Sequence, residues 1–145
     1  MTTQHAQSTF DIESLPVKIT YVGQTKRDDW DCDQWRVEIT YKNARGSGFW
    51  TTDYFTGLGL RHKPKQAWLD ARPVKPTIAS VLHSLFLDAS AADYNFADWC
   101  DEYGYSDDSI KALNIYKQCL DVAAHLRKAF DADTRSAIQA TVEDM

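Results

Sequence analysis

The spacing of apolar residues changes once along this chain, and that change limits the folds open to it. Between residues 17 and 55, apolar and polar residues alternate, which is the pattern of half-buried β-strands. From residue 76 onward, apolar residues recur every three or four positions, which is the pattern of amphipathic helices. Strands followed by helices are typical of an α+β fold, with the helices covering the apolar face of a small sheet.

Three strands are predicted in the first half of the chain. Alternation is visible over residues 17–22 and 49–55 and is clearest over residues 34–41. The intervening residues 23–33 are polar and are predicted to form a loop. Residues 43–48 are rich in turn-forming residues. We therefore expect an antiparallel three-stranded meander.

Three to four helices are predicted in the second half. The first begins near Pro76 and buries a stripe of apolar residues. Asn95 is predicted to cap a short helix from Phe96 to Tyr103, which Gly104 ends.

A longer helix is predicted next, capped by Ser106 and running to about Phe130. Asp107 and Asp108 would lie in its first turn, where the helix dipole favours negative charge. Asp133 is predicted to cap a last helix ending near Val142. The residues predicted on the inner side of the long helix are Ile110, Leu113, Tyr116, Leu120, Ala123 and Phe130.

The chain has 145 residues, the size of a single domain. We expect flexible residues at 1–14, the sheet at 15–55, a basic loop at 56–75 and the helices at 76–145. No apolar leader precedes the fold and no stretch approaches 18 apolar residues, so a cytoplasmic protein without a membrane partner is predicted. Three unpaired cysteines agree with a reducing compartment.

Charge is distributed unevenly. Residues 1–75 carry 11 Lys and Arg against 9 Asp and Glu, a net charge of +2, whereas residues 76–145 carry 5 against 12, a net charge of −7. The total of −5 disfavours strong binding of bare nucleic acid. The acidic half is either a solvated helix surface or a face directed at a basic partner.

No catalytic centre is recognisable. Asp29, Asp31 and Asp33 fit the first ligand positions of a calcium loop, but Gln34 replaces the required Gly and Thr40 the final Glu. This acidic run is therefore predicted to be a solvated or partner-facing loop. The four histidines and three cysteines form no ligand or nucleophile motif. We predict a binding protein without cofactor or metal, and not an enzyme.

The predicted third strand carries aromatic residues on both faces. Either both faces are covered, or one of them, Trp50 with Tyr54 or Phe49 with Phe55, is a binding surface.

The connection over residues 56–75 is long and basic. It opens with Gly57 and Gly59, a pattern too short for a dinucleotide or phosphate loop. Long connections are often functional, so it is a candidate nucleic-acid or nucleotide site. The residues of this alternative are Arg61, His62, Lys63 and Lys65.

Three segments carry a resemblance to a known group of proteins. Residues 52–61 (TDYFTGLGLR) resemble a Tyr-Phe-x-Gly-x-Gly-x-Arg signature, although Leu60 stands where a polar residue is expected. Residues 81–89 (VLHSLFLDA) are similar to the helix that follows that signature. Residues 96–105 (FADWCDEYGY) resemble the next, Phe-x-x-Trp-Cys-x-Glu-Tyr-Gly-Tyr. The chain thus resembles a family of small, biochemically uncharacterised accessory proteins of bacteriophages and prophages.

The resemblance implies an inhibitor of a host defence system, with anti-CRISPR proteins as the prominent example. The lead hypothesis is stoichiometric binding to a CRISPR effector complex, which would block nucleic-acid or nuclease engagement. The acidic face would occupy Lys- and Arg-lined surface of the partner, with aromatic side chains as anchors. The predicted contacts are Asp98, Asp101, Glu102, Asp107, Asp108, Trp50, Tyr54 and Trp99. The alternatives are nucleic-acid binding by the basic loop and an enzyme whose site assembles only in three dimensions.

Overall fold

The sheet predicted in the first half is present. A computed structural model of the chain describes residues 10–27, 30–44, 46–57 and 73–144. It contains strands β1 (Val17–Arg27), β2 (Trp30–Asn43) and β3 (Gly46–Thr56), in the order β1-β2-β3. Strand β1 runs antiparallel to β2, with Ile19 opposite Val37. The predicted antiparallel three-stranded meander is confirmed.

The predicted polar loop at residues 23–33 is wrong for residues 23–27 and 30–33, because β1 and β2 extend over them. A β-bulge between Tyr21 and Gly23 shifts the register, and β1 then continues to Arg27. Gly23 suits the bulge because its φ of 139° is a conformation that favours glycine. Beyond the bulge, oppositely charged Lys26 and Asp31 face each other across the two strands. Because these cross-strand pairs are polar, apolar alternation did not predict that the two strands continue here.

Two carboxylates of the predicted acidic loop, Asp31 and Asp33, therefore lie in a strand and not in a solvated loop. Asp31 and Asp33 are buried in β2, and the Tyr21 hydroxyl donates a hydrogen bond of 2.9 Å to a carboxylate oxygen of Asp33. The Tyr21 ring also lies 5.0 Å from the Trp35 ring, centroid to centroid. These contacts show that Asp33 and Trp35 of β2 are packed inside the protein and that the buried Asp33 carboxylate has a hydrogen-bond donor.

The two aromatic faces of β3 differ in exposure. A Cβ added at Gly48 would lie 2.9 Å from the Tyr41 hydroxyl, so Gly48 and every second residue after it share the Tyr41 face of the sheet. Trp50 belongs to that face and is buried. Phe49 lies on the other face and is 70% exposed, whereas Phe55 on the same face is covered by the Arg27 guanidinium, 4.2 Å from its ring centroid.

Four helices and two single-turn 3₁₀ segments complete the described residues. The helices are α1 (Ile78–Ala89), α2 (Phe96–Tyr103), α3 (Ile110–Ala129) and α4 (Ala132–Glu143). The 3₁₀ segments cover Ile12–Ser14 and Ser90–Asp93. The predicted α+β class, with the sheet in the first half and the helices in the second, is confirmed.

Two predicted helix caps are displaced. Ser109, not Ser106, caps α3 by accepting a hydrogen bond from the amide of Ala112. The Ser106 hydroxyl instead donates to the carboxylate of Asp108 in the preceding turn. Helix α4 is capped by Asp131 and not by Asp133. In each case another residue of good capping type stands within three positions, so composition alone does not select the cap.

The predicted inner face of α3 is wrong at its first residue. Ile110 is 77% exposed, and Ala112 is the first buried residue of the helix. Ile110 is the first residue of the helix and is exposed, whereas Ala112 in the same turn is buried.

An unpredicted contact lies at the start of α1. The Glu13 carboxylate accepts hydrogen bonds of 2.9 Å from the amides of Ile78 and Ala79. These amides are among those that a helix leaves unpaired at its N-terminus, where negative charge is also favoured by the helix dipole. No sequence rule predicts a cap supplied from more than 60 positions away.

The chain divides into two compact units. One comprises Met1–Tyr41 with Ser47–Val81, and the other Lys42–Gly46 with Leu82–Met145. The single domain expected from chain length stays a prediction. In the second unit, which we call the helical unit, a cluster of buried residues forms around Trp99 and Cys100, with Ala91 and Ala112.

Candidate functional site

Helix α2 and the turn after it form a tightly defined segment. The Asn95 side chain accepts a hydrogen bond of 2.8 Å from the amide of Asp98, as predicted. Gly104 ends the helix with a φ of 75°, and the amides of Gly104 and Tyr105 both donate to the Cys100 carbonyl. These two hydrogen bonds to one carbonyl reverse the chain directly after the helix and return Tyr105 toward it.

A stack of aromatic rings fixes this segment. The Trp99 ring is buried and lies parallel to the Tyr105 ring, with centroids 5.1 Å apart and an interplanar angle of 8°. Tyr103 and Tyr116 meet Trp99 at centroid distances of 5.6 and 5.3 Å in tilted geometry. The Tyr116 hydroxyl also donates to the Tyr94 carbonyl at 2.7 Å. Offset and tilted ring pairs are the favourable arrangements, so the stack holds its members in one geometry.

Two members of the stack are presented to solvent. Tyr103 is 45% exposed and Tyr105 is 38% exposed, although both rings contact Trp99. These tyrosines were missed by the sequence analysis, which selected Trp99. The sequence did offer a signal for them. Tyr103 is one helical turn after Trp99, and Tyr105 directly follows the glycine that ends the helix.

The segment that carries the exposed tyrosines is acidic. From residue 84 to residue 110 the chain carries seven acidic residues and no Lys, Arg or His. Asp101 in α2 and Asp107 in the turn both lie near the Cys100 thiol, since burial and then these two charges raise its pKa. We call the following exposed residues the acidic surface. They are Asp98, Asp101, Glu102, Tyr103, Tyr105, Asp107 and Asp108.

All five predicted acidic contacts thus lie in one short segment, but the predicted aromatic anchors are placed differently. Trp99 lies beneath the acidic surface and not on it. Trp50 and Tyr54 belong to β3 in the other compact unit, where Trp50 is buried and Tyr54 is half-buried. A role in partner contact stays a prediction for all three. The alternative site at Arg61, His62, Lys63 and Lys65 lies outside the described residues.

The three cysteines form no disulfide, and the pKa of each thiol is raised above its ordinary value. Burial raises the pKa of Cys32, of Cys100 and of Cys119, the last to about 11. These thiols are therefore protonated at neutral pH, whereas a nucleophilic cysteine needs a lowered pKa. Within the described ranges, no group of three or more His, Cys, Asp and Glu is placed to hold a metal ion.

Comparison with known proteins adds no assignment. No family model, curated protein or solved structure matches this chain. In the part of the chain that the structure describes, no helix is both long and apolar enough to cross a membrane. The function must therefore be argued from the acidic surface itself.

Replacing Gly104 with alanine is expected to destabilise the helical unit by about 1 kcal/mol, because alanine disfavours the left-handed backbone at this position. No atom lies within 4 Å of the added Cβ, so the loss would come from the backbone alone. Urea denaturation followed by helical circular dichroism measures it. Gly104→Asn is the control and should lose less, since asparagine tolerates this conformation. Equal losses in both variants would contradict the backbone explanation.

Proposed function

We propose that this chain is a stoichiometric inhibitor that binds a positively charged, nucleic-acid-handling surface of a host defence complex in the bacterial cytoplasm. The acidic surface would occupy the Lys and Arg residues that normally contact phosphates. The mechanism is occlusion, in which no bond is made or broken. A CRISPR effector is the partner we propose, on the basis of the resemblance to phage accessory proteins.

The observation that carries this proposal is a pair of exposed tyrosines in contact with Trp99, Tyr105 stacked and Tyr103 tilted, in a segment whose charged side chains are all acidic. A face that serves only solvation needs charges but no partly exposed aromatic rings. Tyrosine is enriched at the energetic centres of protein interfaces, and its ring also accepts Lys and Arg side chains. The combination therefore favours a contact surface for a cationic partner.

Rigidity supports the same assignment. Tyr105 is fixed by its stacking on Trp99 and by the bond from its amide to the Cys100 carbonyl. A side chain that is already ordered loses little conformational entropy on binding, so more of the contact energy appears as affinity. Exposed carboxylates at the rim add charge complementarity, which speeds association and selects partners.

The test is affinity purification of the tagged chain from a bacterial host that expresses a panel of CRISPR effector complexes and other defence complexes. We expect one complex to co-elute in stoichiometric amount and to lose nucleic-acid binding or cleavage as inhibitor is added up to a one-to-one ratio. Nuclease treatment of the lysate should leave the co-elution unchanged.

Other outcomes would contradict the proposal. Recovery of nucleic acid or a small molecule without a protein partner would move the assignment to the basic loop. Inhibition complete at far less than one chain per complex would indicate catalytic turnover. A matched experiment with Arg61, His62, Lys63 and Lys65 replaced by serine should retain inhibition if the acidic surface is responsible.

A further inference from the structure

The ring of Tyr105 presents one face to solvent. Its other face lies parallel to the Trp99 ring, with centroids 5.1 Å apart and an interplanar angle of 8°. Trp99 is 4% exposed and covers the stack from within, whereas Tyr105 is 38% exposed. The accessible part of the stack is therefore the outer face of the Tyr105 ring with its hydroxyl. A flat ring face held in one position suits a cationic side chain, which is attracted to the face of an aromatic ring.

The segment that carries Tyr105, residues 84–110, is negatively charged and has no Lys, Arg or His. In the part of the chain that the structure describes, none of the five carboxylates of the acidic surface forms an ion pair. Lys111, the first cation after this segment, forms none there either. The Ser106 hydroxyl donates to the Asp108 carboxylate, which leaves that group its charge. A cation is therefore the side chain that gains most on this surface.

The two cationic side chains that a protein partner offers, arginine and lysine, differ in shape. The arginine guanidinium is planar and weakly hydrated, so it lies flat on a ring face while its N–H groups point outward to carboxylate oxygens. The lysine ammonium is a compact, strongly hydrated point charge with no face to stack. Carboxylates lie in the same small region, because Asp101 and Asp107 are near Cys100, whose carbonyl accepts the Tyr105 amide. The combination of ring face and carboxylates therefore favours arginine over lysine.

We propose that Tyr105 binds an arginine side chain of the partner protein, which stacks on the exposed ring face and bonds to carboxylates of the acidic surface. The surface thereby selects arginine over lysine at equal charge. This arginine site rests on the function proposed above, because it names the side chain by which the cationic partner is recognised.

The test is titration of the full chain with hexaarginine and with hexalysine, both acetylated and amidated, followed by amide chemical shifts in two-dimensional NMR. The two peptides have the same length and charge, so a surface that responds to charge alone binds them equally. We expect hexaarginine to bind about threefold to fivefold more tightly, with its largest shifts around Tyr105. The preference should persist at high salt, which screens exposed charges more strongly than a stacking contact.

Variants of Tyr105 separate the ring face from the charge. Tyr105→Leu keeps an apolar side chain against Trp99 but removes the ring, so it should bind both peptides equally, with the affinity that hexalysine has for the unchanged chain. Tyr105→Phe is the matched control and should retain the preference for hexaarginine. The amide spectra show whether each variant is folded. Tyr105→Met gives the same comparison if the leucine variant is not, since methionine fills irregular gaps more readily.

Three results would overturn the arginine site. They are equal affinity of the unchanged chain for the two peptides, no binding of hexaarginine, and a preference for hexaarginine that survives in the folded Tyr105→Leu or Tyr105→Met variant. None of them decides whether a defence complex co-elutes with the tagged chain, so the arginine site and the proposed function hold or fail separately.

Discussion

Neutralising four carboxylates of the acidic surface is expected to weaken partner binding roughly 100-fold, since each exposed charge pair contributes up to about 1 kcal/mol. The variant is Asp101→Asn, Glu102→Gln, Asp107→Asn and Asp108→Asn. Asp98 is left unchanged because it lies in the first turn of α2, where its charge also supports the helix. The loss should appear mainly in the association rate and should shrink at high salt.

A matched control separates the acidic surface from total charge. Asp93, Asp121, Glu143 and Asp144 are exposed acids of the same compact unit that lie outside the acidic surface. Neutralising these four also changes the net charge from −5 to −1, because four negative charges are removed in each variant. Surface plasmon resonance on the co-purified partner at two salt concentrations compares the variants. Equal loss in both would mean that only overall charge matters, and the acidic surface would not be the contact.

Replacing Trp99 with alanine is expected to lower the free energy of unfolding of the helical unit by about 3–5 kcal/mol, the usual cost of truncating a buried large aromatic residue. The Trp99 ring is 4% exposed and contacts four other rings. Its removal leaves a cavity below both exposed tyrosines. Guanidinium denaturation followed by helical circular dichroism measures the loss.

Trp99→Phe is the control for this prediction. It keeps an aromatic ring in the stack and should lose only about 1–2 kcal/mol. If the acidic surface is the contact, Trp99→Ala should also weaken partner binding under conditions where it remains folded, since Tyr105 loses the ring that orders it. An alanine variant as stable as the phenylalanine variant would show that the stack does not support the unit.

The parts of the fold predicted from sequence are those governed by neighbouring residues. The helix from Phe96 to Tyr103 was predicted with both ends correct, because Asn95 and Gly104 act through bonds to residues at most four positions away. Apolar alternation located the strands but not their lengths, since polar pairs such as Lys26 with Asp31 continue the ladder without alternation. Where two good capping residues compete, as Ser106 and Ser109 do, packing of the following helix decides.

The candidate site was predicted in its charge but not in its aromatic composition. The five acids could be found because charge is visible in composition and they cluster in sequence. Which aromatic ring is exposed and which is buried depends on the chain reversal at Gly104, which stacks the exposed Tyr105 on the buried Trp99. Contacts between distant residues, such as Glu13 at the start of α1, lie beyond any local pattern.

The buried cysteines give the chain built-in reporters of its own opening. Cys32 in β2 and Cys100 in α2 are at most 1% exposed, and each belongs to a different compact unit. A thiol that is covered and protonated reacts with an alkylating reagent only while its surroundings are transiently unfolded. In a Cys119→Ser background, pulse alkylation with mass spectrometry therefore times the opening of each unit separately. Equal rates would mean that the sheet and the helices open as one cooperative body, and unequal rates would rank their local stabilities without any attached probe.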